Sequence, residues 1–221
     1  MCQKTPNPAL KDFTELAPIL ASLFAIHGLN AWRREHVGKR RIELAEEVLA
    51  LFYQARDVIE SIRSSFGYGG EGETRKPGPS EKPEHKAALD QAFVLIERYN
   101  RHTELFSRIH ALRYRFMAQF GTKASAPFDD LNRVVNELLL SAQRMARHAI
   151  KPDRQFRTEV AEEKHQGLME ICRVYYSGGE DDPIASRIHK IVGEIEHTCR
   201  AVIESKGTLF AMFNASFRKH G

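Results

Sequence analysis

Residues 125–152 read SAPFDDLNRVVNELLLSAQRMARHAIKP. Leu131, Val135, Leu138, Ala142, Met145 and Ala149 recur at alternating steps of four and three, which on an α-helix puts all six on one apolar stripe. Ser125 and Pro127 mark the entry and Pro152 closes the run.

The same pattern extends outward in both directions. Upstream, Ala45, Val48, Phe52, Ala55, Ile59 and Ile62 form a seam from Arg41 to Ile62 that stops at Gly67. A second upstream seam runs Ala88, Ala92, Leu95, Tyr99, Phe106, Ile109, Phe116 and Phe120 and ends at Gly121, with His102 on it as a register-fixing polar group. Downstream, one helix is expected from about Asp153 to Tyr176 through Ala161, Leu168, Cys172 and Tyr175, stopping at Gly178-Gly179. The last opens with Asp182 as N-cap and Pro183 at the first helical position, and continues through Ile188, Ile191, Ile195, Cys199 and Val202 to Gly207.

No stretch alternates apolar and polar residues between hairpin turns, so no strand is expected. The connections at 121–127, 150–153 and 177–183 are short, which favours antiparallel neighbours. The expected fold is all-α: an antiparallel up-down bundle of four to five long helices, with an N-terminal apolar helix running into the first bundle helix. Gly67 to Pro83, with five glycines and three prolines, reads as a flexible loop.

Composition narrows the class without naming a chemistry. The 221 residues carry 33 Lys and Arg against 29 Asp and Glu, a net charge of +4, and the 42% hydrophobic content is too high for a disordered chain. Cys2, Cys172 and Cys199 are too few and too scattered for a disulfide framework, and no spacing suggests a zinc site.

Between Glu15 and Arg33 lie seventeen consecutive uncharged residues, Leu16 to Trp32. As a helix they would span roughly 25 Å, the low end of what a bilayer core requires. Leu16, Ile19, Leu20, Leu23, Phe24, Ile26 and Leu29 favour insertion, whereas Pro18, His27, Gly28 and Asn30 oppose it. The flank is strongly basic, with Arg33, Arg34, Lys39, Arg40 and Arg41 directly after Trp32. An interfacial tryptophan followed by such a cluster marks a cytoplasmic boundary, and each cation adds about 1 kcal/mol of attraction near anionic headgroups. A cleaved signal peptide would carry its positive charge before the apolar run.

The segment is therefore expected to be a membrane anchor, single-pass, with the N-terminus outside and the bulk cytoplasmic. The alternative is the most buried helix of a soluble bundle. Within the anchor, His27, Gly28 and Asn30, with Ala21, Ser22 and Ala25, suit close helix–helix approach, so anchors would self-associate into a homo-oligomer. The expected organisation is a short tail over 1–15, the anchor over 16–32, a helical bundle over 33–206 containing the 67–83 loop, and an amphipathic tail over 207–221. In that tail, residues 207–217 form an apolar patch too short to span, read either as an interfacial foot or as the last turns packing on the bundle.

Other motifs compete with this reading. Gly67, Gly69 and Gly72 match a dinucleotide-type glycine pattern, but that chemistry needs a preceding strand and a following helix, and Lys76-Pro77-Gly78-Pro79 follows instead. Anion binding by the loop's amides with Arg75 or Lys76 is the residual reading. Two E-x-x-H pairs, Glu162/His165 and Glu194/His197, resemble half of a di-metal carboxylate site that Glu46, Glu47, Glu97 and Glu104 would complete. On the helical wheel, however, Glu194, His197 and Glu162 point away from the apolar stripes. No nucleophile elbow occurs, and Cys172 and Cys199 sit on apolar stripes. The Asp129-Asp130 and Asp181-Asp182 pairs fall at helix starts.

No catalytic residue, metal site or cofactor is expected, and the chain is not expected to be an enzyme. The expected partners are the membrane, through 16–32, and a protein of unspecified identity. Nucleic acid, through the basic 33–41 patch, is the alternative partner and not the expected one, because aromatics for base stacking are lacking beyond Trp32.

Overall fold

A computed structural model describes the backbone of residues 8–150, 158–179 and 182–217, and the side chains of 32–33, 35–150, 165–179 and 182–204. The described residues are all-helical, without a strand. Among the described residues, six α-helices run in the order α1 (Pro8–Ile62), α2 (Lys86–Asn100), α3 (Thr103–Phe120), α4 (Ala126–Ile150), α5 (Thr158–Tyr175) and α6 (Pro183–Phe217). The chain divides into two compact units, Met1–Leu44 and Ala45–Gly221.

In the second unit, α4, which lies within the 125–152 stretch, is the central helix. α4 packs against α2, α5 and α6, and touches α3 near the Lys123–Ser125 turn. Leu131, Val135, Leu138 and Ala142 are buried, while Met145 and Ala149 are half-buried. The seam of α1 is buried along its whole expected length from Ala45 to Ile62. Phe128 of α4 meets Phe52 of α1 edge-on at 4.9 Å and Phe116 of α3 at 5.3 Å, so three helices share one aromatic cluster. Ile188, Ile191, Ile195 and Cys199 bury the matching face of α6.

The second expected seam is two helices, not one. α2 ends at Asn100 and α3 begins at Thr103, with His102 between them at φ −120° and ψ 14°. Neither glycine nor proline punctuates the break. Instead, the His102 amide closes a tight turn on Tyr99, and the Thr103 hydroxyl donates to the Asn100 carbonyl, competing with the helical ladder. Tyr99 and Phe106 stack across the break at 5.4 Å, which carries the apolar face from one helix to the next. His102 thus occupies a helix boundary rather than a mid-helix position.

The start of α6 matches its sequence signature. One Asp182 carboxylate oxygen accepts the amides of Ile184 (3.0 Å) and Ala185 (3.1 Å), and Pro183 is the first helical residue.

Candidate functional site

The expected interface residues fall in the first unit, on α1. Trp32 is 64% exposed, Arg33, Lys39 and Arg40 are exposed, and Arg41 is half-buried. Trp32 stacks on His36 one turn later, 5.5 Å between ring centroids with the planes 14° apart. At about 100° per residue, Trp32, Arg33, His36, Lys39 and Arg40 occupy one arc of about 120°. Glu43 continues that arc and pairs with Lys39 at 3.9 Å, both exposed. The side chains of His27, Gly28, Asn30 and Arg34 lie outside the described residues, as do those of the rest of 16–31 and of 207–217. Among the described residues, no helix is long and apolar enough to cross a membrane.

The Gly67 to Pro83 segment, expected to be a flexible loop, is instead clamped onto α2 by ion pairs. Glu97 accepts hydrogen bonds from the Gly72 amide (2.7 Å), the Thr74 hydroxyl (2.9 Å) and Arg101 (2.5 Å). Arg75 donates two parallel bonds to Glu81, each 2.6 Å, and a third to Asp90 at 2.9 Å, while Lys86 holds the other Asp90 oxygen at 2.6 Å. Gly72 fits because it has no Cβ: its φ is +89°, and an added Cβ would stand 2.1 Å from the Asp90 carbonyl oxygen.

Arg98 holds the segment's N-terminal end. Its guanidinium pairs with Glu71 (2.5 Å) and donates to the carbonyls of Ile62, Ser64 and Phe66, covering the C-terminal end of α1. Several of the loop's amides are occupied in the same way. Tyr68, Gly72 and Gly78 donate to Glu71, Glu97 and Glu81, and Arg75 is committed to two carboxylates. The chain's own carboxylates thus take up these three amides and the Arg75 guanidinium.

A second arginine does the same for α5. Arg63 is 2% exposed and donates to the carbonyls of Arg173, Val174 and Tyr176 at 2.6–2.9 Å, while pairing twice with Asp182. The end of α1, the end of α5 and the start of α6 are thereby joined at one charged group. Tyr175 completes this end of the unit: its hydroxyl donates to the Gln91 carbonyl (2.9 Å) and accepts from the Leu95 amide (3.3 Å), bridging a step of the α2 ladder.

Electrostatics follow from these contacts. The Arg98 pairing outweighs burial and holds the Glu71 carboxyl below its ordinary range, and Lys86 and Arg75 do the same for Asp90. Burial pushes Glu97 and Asp182 up, but their hydrogen bonds more than offset it, and both end below ordinary carboxyl values. Burial raises the Tyr175 phenol and the Cys199 thiol, each to about 12, and raises Cys172 as well, so both described thiols stay protonated at neutral pH.

Sequence patterns did not single out Arg63, Glu71 or Arg98, and they marked Tyr175 only as a member of an apolar seam, not as a hydrogen-bonding group. A signal was present for Arg98: Asp90, Glu97, Arg98 and Arg101 form a charged stripe beside the apolar seam of α2, opposite a loop containing Glu71, Arg75 and Glu81. Glu194 and His197 are exposed, as their wheel positions require. His165 is exposed too, whereas the Glu162 side chain lies outside the described residues.

Above the Arg98 clamp lies an open cleft of about 470 Å³, bordered by Phe66, Tyr68, Arg101 and His102. Phe66 and Tyr68 are 87% and 85% exposed, although the Phe66 carbonyl is fixed by Arg98 and the Tyr68 amide by Glu71. Compared with known protein families, curated proteins and solved structures, the chain finds no match.

Proposed function

We propose that this chain is a membrane-tethered helical-bundle protein that works by protein–protein contact, as a scaffold, sensor or regulatory subunit, with its helical body on the cytoplasmic side. No catalytic step is part of the proposal. The observation that carries it is the exposure of Trp32, the last of seventeen uncharged residues, together with Arg33, Lys39 and Arg40 directly beyond it. A tryptophan and cations at the end of an apolar helix are the groups that an interface selects.

The protein-contact half is supported by Phe66 and Tyr68. Leaving two large rings in water forgoes about 1.5–3 kcal/mol of burial each, and a fixed backbone beneath them removes part of the ordering cost of binding. Exposed aromatics held in this way are the side chains that dominate protein interfaces.

Removing residues 1–32 tests the tether. The expected product is soluble without detergent and melts in a single cooperative transition with the helical content of the remainder. A truncated chain that is molten or insoluble would show those residues to be core, and would overturn the proposal.

A further inference from the structure

We infer that the exposed arc Trp32–Arg33–His36–Lys39–Arg40 of α1 recognises the anionic phospholipid headgroups of the leaflet on the side of the helical body. The inference rests on the tether reading of residues 16–32 and adds to it which lipid the flank selects.

Geometry sets the reach of each cation. With Trp32 at the hydrocarbon boundary, a helical rise of 1.5 Å per residue puts Arg33 within the headgroup layer, about 5–7 Å thick. Lys39 and Arg40 then lie about 11–12 Å out along the axis, and their flexible side chains reach back several ångströms. That places their charges within one Debye length of the lipid phosphates at ordinary ionic strength, about 8–10 Å. Glu43 lies about 16 Å from the boundary on the same arc, where its pairing with Lys39 ends the basic footprint. Glu35 is exposed but lies off this arc.

The shape of the patch selects among anionic partners. It extends little more than two helical turns, adjoins an uncharged run and contains one large aromatic, Trp32, which suits a bilayer interface. Nucleic acid calls for a longer basic track and interleaved stacking rings.

Flotation of the full-length chain with vesicles tests the inference. One set is phosphatidylcholine alone, and the other is three parts phosphatidylcholine to one part phosphatidylglycerol. Each cation is expected to favour the anionic set about fivefold, so the three together give on the order of 100-fold at low salt. In the combined variant Arg33→Gln, Lys39→Gln and Arg40→Gln, that preference falls on the order of 100-fold while flotation with phosphatidylcholine persists. Raising salt to about 1 M, where the Debye length is about 3 Å, removes most of the preference in the wild type.

Equal flotation of the wild type with both sets, or a preference undiminished in the triple variant, overturns the lipid selection and leaves the tether standing. Flotation with neither set overturns both. Nanomolar binding to duplex DNA without a vesicle preference reassigns the arc to nucleic acid and also overturns the inference.

Discussion

Replacing Gly72 with alanine probes the clamp at its tightest point. The position has φ +89°, where an L-residue costs roughly 1–2 kcal/mol. The new Cβ would also meet the Asp90 carbonyl oxygen at 2.1 Å, so the loop would have to retreat by about 1 Å to reach a tolerable contact. That retreat stretches the 2.7 Å bond from the Gly72 amide to Glu97 beyond hydrogen-bond range and removes a donor from a buried carboxylate, a further loss of about 1.5–3 kcal/mol. The expected destabilisation is about 2.5–5 kcal/mol. Urea denaturation would report it as a lower midpoint with an unchanged slope. Gly70 supplies the control: its φ is +88°, but nothing stands within 4 Å of an added Cβ, so Gly70→Ala should cost only about 1–2 kcal/mol. Equal losses at the two positions would refute the argument that the loop is seated on α2.

Three further perturbations test other parts of this end of the unit. Arg63→Met leaves Asp182 and three helix-terminal carbonyls without their donor and should cost about 3–5 kcal/mol; in a cycle with Asp182→Asn, the double variant should lose less than the sum of the single losses. Tyr175→Phe should cost about 1–2 kcal/mol and speed hydrogen exchange at the Leu95 amide, and unchanged exchange there would contradict the bridging role of the hydroxyl. The folded-state carboxyls of Glu71, Asp90, Glu97 and Asp182 all titrate below their ordinary values, so their stabilisation is complete above the unfolded carboxyl range near pH 4 and is lost as pH falls through the lower folded values. The urea midpoint should therefore be nearly flat from about pH 5 to 7 and drop steeply below about pH 4; a midpoint that rises on acidification would contradict these pairings.

The helices were legible because burial imposes a period, and a period survives in the sequence without its partners. Leu131 to Ala142, Ala45 to Ile62 and Ile188 to Cys199 all bury the faces their spacing indicates. The α6 cap was legible because Asp182-Pro183 is a local signal. The break between α2 and α3 was not, since a hydroxyl and a tight turn make it where glycine or proline would have announced it. The clamp was hidden for a different reason. Glycine and proline in 67–83 suggest slackness, yet one of those glycines, Gly72, lets the backbone approach α2 closely enough for Glu97 to hold it. Arg63 and Tyr175 act on backbone groups more than a hundred and about eighty residues away in the chain, and no local pattern records such pairings. In the basic segment, Arg33, Lys39 and Arg40 are exposed as the interface reading requires, whereas Arg41, counted with them from sequence, is half-buried.

Fractionation of the full-length chain expressed in cells tests the membrane claim most directly. The account predicts recovery in the membrane pellet, retention there through washes at high salt and at alkaline pH, and release by detergent. Recovery in the supernatant without detergent would contradict it.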